Sequence, residues 1–526
     1  MSDLIPRLPA WVVLGLFVSL AFARQLGGEF VWDDPLLVLE NTHTGDWRNL
    51  PSFFTLSLWE TTPVVDPNRH FYRPLMLVEL WLDRALIDPP AAWLHRLHNL
   101  GWHLAAALLL HRLLQRLRPG AWLAFPAAAV YALHPLQNEV VAFTAARNDS
   151  MAAALMVGAM LVLFPLRVGP ARLAGGAALF ACALLSKEVA IATPVLLVGL
   201  DWLRGEKTQG WRRHAALGGV VVAWIGLRLA LALDTELQVP ESLWTWSTHS
   251  AAILTAPWTT SPTAYLDAVS PHWLPLALAV LGTAALARRG GPQAWLGLAW
   301  ALATLLPCLP AVAATGQMPY RYLTVPLAGL AVALHAVWPA QLSRRVGVGL
   351  AVALGALAMS EGSQWQDSSS LWLRGWAMGP SPRSACGVFK TLEDQPEAAG
   401  WLARAVASPP AQYCCYSATR FFLDQGAPHE TVAMGRLALA QGCEGSPELL
   451  APLAIAEAAT GDWGPAEQHA RQALPDPTGL APVVLSAAAL RRGDSSELER
   501  WAARGPGGDA APLEAQVEWL LDKGGR

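Results

Sequence analysis

Apolar runs separated by short polar turns fill the first 360 residues. Runs at 9–24, 97–115, 121–134, 150–166, 173–186, 189–203, 214–233, 272–287, 293–311, 321–338 and 345–360 predict about eleven membrane-spanning helices, some of them short. Two polar segments, 25–96 and 234–271, are too long to be turns and predict structured outer loops. The run from Pro9 to Ala23 has no small-residue cleavage site before the next polar segment, so it reads as an uncleaved first span.

After Ser360 the pattern changes to short Ala/Leu-rich helices punctuated by Gly-Asp, Pro and Gly. The segment Ala456 to Pro477 has the small-residue, turn, small-residue, Pro rhythm of a tetratricopeptide (TPR) repeat. Gly426, Gly461 and Gly493 recur at spacings of 35 and 32, close to the roughly 34 residues of that repeat. Three or four degenerate TPR-like repeats are expected, with an unrelated helical bundle as the other reading. The organisation is therefore a membrane domain (1–360), a connector (361–394) and a helical repeat domain (395–526).

Composition supports this division. The chain is 53% hydrophobic and 15% charged with a mean hydropathy of +0.32, against roughly 25% charged residues in soluble proteins. The formal net charge of -3 gives no electrostatic reason to expect nucleic acid. Trp11, Trp32, Trp93, Trp122, Trp202, Trp211, Trp273 and Trp338 sit near the ends of apolar runs, as in an interfacial belt. Arginines and lysines collect in alternate turns: Arg7; Arg116 and Arg118; Arg167 and Arg172; Arg204 to Arg213; Arg288 and Arg289; Arg344 and Arg345. By the positive-inside rule those turns face the cytoplasm, which puts the N-terminus inside and the repeats outside. Ala, Gly, Pro and Arg richness points to a GC-rich bacterium, hence a plasma membrane and a periplasmic repeat domain. In that domain Cys386 to Cys414 and Cys415 to Cys443 are equally spaced. They are read either as disulfides between neighbouring helices or as four buried thiols.

Polar residues at membrane helix ends are costly and are functional candidates by default. Asp33 and Asp34 form a carboxylate pair after the first span, where mutual proximity raises one pKa and poises a base. A solvated turn is the plainer reading of that pair. Tyr72-Arg73-Pro74 precedes an amphipathic stretch, Leu75 to Leu86, and Arg73 is either a phosphate ligand or a snorkelling side chain. His95, Asn99 and His103 share one helix face; with Asn in the middle this reads as interhelical hydrogen bonding rather than metal. His134 and Glu139 follow the third span, Arg147 and Asp149 open the fourth, Lys187 and Glu188 join the fifth to the sixth, and Arg321 and Tyr322 open the tenth. All fall on the outer face, while structural ion pairs would have no reason to avoid the cytoplasmic ends. Arg73, Arg147, Lys187 and Arg321 are the candidate phosphate-binding cations. Asp33, Asp34 and Glu139 are the candidate catalytic acids, supported by Tyr72, His103, His134, Asp149, Glu188 and Tyr322.

These segments, in this order, resemble the transmembrane and tetratricopeptide-repeat O-mannosyltransferases (TMTC) of the GT-C superfamily. The resemblance rests on Trp32-Asp33-Asp34 with Asn41, Tyr72-Arg73-Pro74, His95 with Asn99 and His103, and His134-Pro135 with Glu139. It continues through Arg147 and Asp149, Ser186-Lys187-Glu188, Arg321-Tyr322-Leu323, Trp365 and Leu371-Trp372. Tyr320 and Thr324 depart from the family's arginine motif, which has Glu before the Arg and Tyr three residues after it, and the repeats are few. The resemblance implies an all-α GT-C fold and inverting transfer of a mannose-like sugar. The donor would be a polyprenyl-phosphate sugar and the acceptor a protein Ser or Thr, recruited by the repeats. Asp33 or Asp34, with Asp34 favoured, would be the base. No cofactor is called for, and a divalent metal stays open. The competing readings are a GT-C transferase with a lipid or glycan acceptor, a lipid-linked sugar transporter, and a non-catalytic repeat scaffold on a membrane anchor.

Overall fold

The computed structural model describes residues 8–62, 71–205, 210–233, 243–263, 272–407, 414–443, 445–476, 479–502 and 513–523. His70 and the two ends of the second outer loop, 234–242 and 264–271, lie outside these residues. The described residues are helical and contain no strand. The chain divides into two compact units, Met1–Met378 and Gly379–Arg526.

In the first unit the helices are α1 (Ala10–Phe22), α2 (Pro74–Leu86), α3 (Ala92–Leu117), α4 (Ala121–Leu133), α5 (Gln137–Ala142), α6 (Arg147–Val162), α7 (Pro170–Ser186) and α8 (Thr193–Leu203). They continue as α9 (Trp211–Ala230), α10 (Leu243–Thr255), α11 (Trp273–Arg289), α12 (Gly291–Leu305), α13 (Leu309–Thr315), α14 (Thr324–Val337), α15 (Ser343–Glu361) and α16 (Ser368–Met378). Every apolar run named above is a helix. Among the described residues, four stretches are long and apolar enough to cross a membrane by length and composition: Ala10–Gly27, Gly291–Ala313, Tyr320–Val337 and Arg344–Trp365.

The surface of this unit is built for lipid. Helix α11 has no buried residue, and Leu274, Leu278, Val280 and Leu281 are each more than half exposed. A water-soluble protein rarely leaves such a stripe uncovered. Trp11, Trp93, Trp202, Trp211 and Trp273 are exposed near helix ends, as an interfacial belt requires. Trp32 is different: its ring stacks on Phe143 at 5.3 Å, so it belongs to the packed interior beneath the loop after α1.

Inside, small residues set helix spacing. A Cβ on Gly297 of α12 would lie 2.5 Å from the Gly329 carbonyl oxygen, and one on Gly329 of α14 would lie 2.6 Å from the Gly297 carbonyl oxygen. The two backbones therefore touch, the arrangement that membrane helices use when apolar burial gives them no advantage over lipid.

The loop after α1 folds as short turns over the ends of the helices. Val31, Leu37, Phe53, Met76, Leu80, Phe143, Trp365 and Leu371 form its apolar core. Arg96 ties this cap together by donating to the carbonyls of Gln25, Glu29 and Trp365. Gly28 permits that approach, because a Cβ there would meet the guanidinium at 2.3 Å.

The second unit is a series of helix pairs: α17 (Pro382–Thr391) with α18 (Ala398–Val406), and α19 (Cys415–Asp424) with α20 (Pro428–Ala440). They are followed by α21 (Pro447–Ala459) with α22 (Trp463–Gln472), α23 (Leu480–Arg492) with α24 (Ser495–Ala502), and a final α25 (Leu513–Lys523). Gly426, Gly461 and Gly493 occupy the turns inside the last three pairs, with φ of +70°, +86° and +72°, a region open to glycine at no steric cost. Cys386 is bonded to Cys414 and Cys415 to Cys443, which settles the cysteine alternatives in favour of disulfides.

Candidate functional site

Local sequence explains how each side chain reaches one end of the helix bundle. Pro74 at the first position of α2 stops the helix from extending backward, and Arg73 just before it is free to turn inward. Helix α7 stops at Ser186 with Lys187 in an extended conformation (φ -160°, ψ 140°), so Lys187 and Glu188 stand in a break before α8. Pro319 and the turn Tyr320–Leu323 open α14 and present Arg321.

Three ion pairs result. Arg321 pairs with Glu139, which is fully buried, through its guanidinium, and its backbone N–H donates to the other carboxylate oxygen at 3.2 Å. Lys187 pairs with Asp149 at 2.5 Å. Arg73 pairs with Glu188 at 3.2 Å; burial opposes ionisation of Glu188, but the charges of Arg73 and Lys187 hold its pKa below the usual range. The pairs are linked through Tyr322, whose ring lies 4.8 Å from the Lys187 ammonium and 5.2 Å from the Arg321 guanidinium. Arg321 also lies over Trp32 and Phe143, each at 5.4 Å.

Asp33 and Asp34 share this region but have different surroundings. Asp34 is 1% exposed and accepts from the backbone N–H groups of Thr144 and Ala145, both at 3.1 Å, and of Val31 at 3.4 Å. Burial pushes its carboxyl up to about 7 against these donors and the charge of Arg96. Asp33 keeps partial exposure; burial raises it to about 6, and the charge of Arg321 works against the shift. The preceding Trp32 has a φ of +57°, a strained value for a bulky residue, held by its stacking on Phe143.

Several expected site residues are used differently. Arg147, named above as a phosphate ligand, is fully buried in another network. Its guanidinium donates to Asp83 at 2.5 Å, to Asn99 at 2.7 Å and to the His95 carbonyl at 3.1 Å. Asp83 also accepts from His95 at 2.8 Å; burial opposes its ionisation, but His95 and Arg147 hold it at about 2. His103 bonds the Ala132 carbonyl and His134 the Leu254 carbonyl, so both position backbone. The Tyr72 hydroxyl donates to the Phe54 carbonyl at 2.9 Å and fixes the loop beside Arg73. Asn99 bonds the carbonyls of Val141 and Phe143, an interhelical role like the one read from sequence.

Sequence reasoning missed Asp83, although a signal was present. Met76, Leu80 and Asp83 lie at i, i+4 and i+7 on the buried face of α2, and a carboxylate on an apolar face needs a buried partner. Charged groups also meet at the other ends of the helices, where a structural ion pair has no reason to be absent. Asp201 near the end of α8 holds Arg213 at 2.6 Å and His214 at 2.8 Å at the start of α9. The reason is local: α8 ends at Leu203 and α9 begins at Trp211, so the polar termini of two helices close in sequence meet.

The chain is similar to protein O-mannosyl-transferase Tmtc2 of Drosophila melanogaster, 32% identical over 205 residues that cover 36% of this chain and 22% of the fly protein. Human protein O-mannosyl-transferase TMTC1 is 28% identical over 33% of this chain and 21% of its own length. Caenorhabditis elegans protein O-mannosyl-transferase F38B6.6 is 25% identical over 26% of the chain and 20% of its own. The similarity thus spans about a fifth of the length of these relatives. No family model matches the chain, and no solved structure does. The sequence is TMTC-like over the matched third, and its helices are those of a membrane protein.

Proposed function

We propose that this chain is an inverting, GT-C-type membrane glycosyltransferase. It takes a mannose-like sugar from a polyprenyl-phosphate donor and transfers it to a Ser or Thr hydroxyl of an acceptor protein at the extracytoplasmic face. The reading rests first on Asp33, a partly exposed carboxylate raised to about 6 beside Arg321. Similarity to protein O-mannosyl-transferases supports the sugar and acceptor classes.

Asp33 is the base, a change from the Asp34 favoured on sequence, because Asp34 is occupied by backbone donors. Asp33 takes the proton of the acceptor hydroxyl as that oxygen bonds to the anomeric carbon. The bond from that carbon to the phosphate oxygen breaks, the carbon passing through an oxocarbenium-like state, and the electron pair leaves on the lipid phosphate. Arg73, Lys187 and Arg321 stabilise the developing negative charge. Arg147, held by Asp83 and Asn99, positions the fourth-span helix rather than the phosphate.

The membrane is a bacterial plasma membrane with the N-terminus cytoplasmic and the TPR-like helix pairs periplasmic, where the two disulfides are stable. Those pairs recruit the acceptor. The test is transfer of radiolabelled sugar from polyprenyl-phosphate donors in membranes, wild type against Asp33→Asn at matched expression. Label in protein that disappears in the variant supports the reading. Label in lipid or glycan moves the acceptor class, and no transfer from any donor ends the proposal.

A further inference from the structure

The connection between α9 and α11 holds two histidines that the reaction does not use. His249 lies in the middle of α10 and is 1% exposed; His272 immediately precedes α11 and is partly exposed. Their ring centroids are 5.6 Å apart, with the planes tilted by 48°. Both ring nitrogens of His249 and Nε2 of His272 are buried without a hydrogen-bond partner. A buried polar atom left unsatisfied costs about 1–3 kcal/mol, so three at one point call for an explanation. Their neighbours Trp244 and Trp273 contact each other at 5.0 Å, so the pair sits beside a fixed aromatic contact.

The geometry points to a divalent transition-metal site with His249 and His272 as its two protein ligands. Two imidazole nitrogens each about 2.0–2.1 Å from one ion put the ring centroids roughly 5–6 Å apart. Imidazole selects the Zn²⁺, Cu²⁺ and Ni²⁺ class over Mg²⁺ or Ca²⁺. Among the described residues no third His, Cys, Asp or Glu joins the pair, and water or backbone oxygen can fill further positions. The inference stands apart from the glycosyl-transfer reading and survives its failure.

The test uses the full chain, purified in detergent without a polyhistidine tag, stripped with EDTA and titrated with Cu²⁺. Pulsed electron paramagnetic resonance is expected to report one tightly held equivalent coupled to two imidazole nitrogens. His249→Gln and His272→Gln each remove that species while leaving the gel-filtration profile unchanged. Should His249→Gln fail to fold, His272→Gln at the exposed rim decides alone. Copper retained with the same two-nitrogen signal in His272→Gln belongs to other histidines and overturns the site, as does a wild type that holds no copper.

Discussion

Asp33 and Asp34 are neighbours in the chain with opposite commitments: Asp34 accepts three backbone N–H groups, while Asp33 stays partly exposed beside Arg321. That division predicts two different phenotypes. Asp33→Asn is expected to lose transfer with an unchanged unfolding midpoint. Asp34→Ala is expected to lose transfer and also stability, by about 1–3 kcal/mol for buried donors left unpaired. Parallel transfer assays and thermal melts distinguish them, and equal destabilisation by both would refute the division.

On the proposed reaction, with Asp33 raised to about 6, that carboxyl sets the pH profile. Burial has raised Asp33, so its proton is held below that value and the carboxylate forms above it. The rate is expected to rise about tenfold per pH unit on the acid side and to level off near neutrality. In Asp33→Asn the residual rate should lose this limb; an acid limb that persists would assign the titration to another group.

Arg321 and Glu139 make a buried pair, and removing one partner from such a pair costs about 3–5 kcal/mol. Arg321→Met should therefore unfold more easily than wild type. Adding Glu139→Gln should restore much of the stability but none of the transfer. If the double variant regains activity, Arg321 serves structure alone.

The Gly297–Gly329 contact leaves no room for a Cβ. Gly297→Val or Gly329→Val is expected to lower the unfolding midpoint by several degrees, an overpacking cost of about 1–3 kcal/mol or more. Gly226, where a Cβ would meet nothing within 4 Å, provides the control: Gly226→Ala should fold as wild type.

Each disulfide closes a sequence separation of 28 residues, which gives about 3–4 kcal/mol by loop entropy. Replacing Cys386 and Cys414 with Ser should lower the melting transition of the repeat unit. The membrane unit should keep its own transition, and a single unchanged melt would contradict the assignment.

Much of the helical plan was legible because lipid imposes a simple rule: each long apolar run must close its backbone hydrogen bonds within itself, and each run is a helix. The turns at Gly426, Gly461 and Gly493 were equally visible, since a positive φ selects glycine. What sequence could not supply was the set of partners. Arg147 looked like a phosphate ligand until α2 brought Asp83 against it, a contact 64 residues distant in the chain. Likewise nothing local to Asp34 shows that the turn at Thr144 and Ala145 is seated on it. Partner choice is decided by tertiary packing, which local pattern does not encode.

Every cation at the proposed phosphate site already has a carboxylate: Arg73 with Glu188, Lys187 with Asp149, Arg321 with Glu139. A lipid phosphate entering there competes for attractions already in use, so it is held less tightly than by three unpaired cations. After transfer the same carboxylates reclaim their partners and help dislodge the spent carrier. On the proposed reaction, the pairing trades tightness of donor capture for speed of clearance, and turnover rather than occupancy is what the arrangement favours.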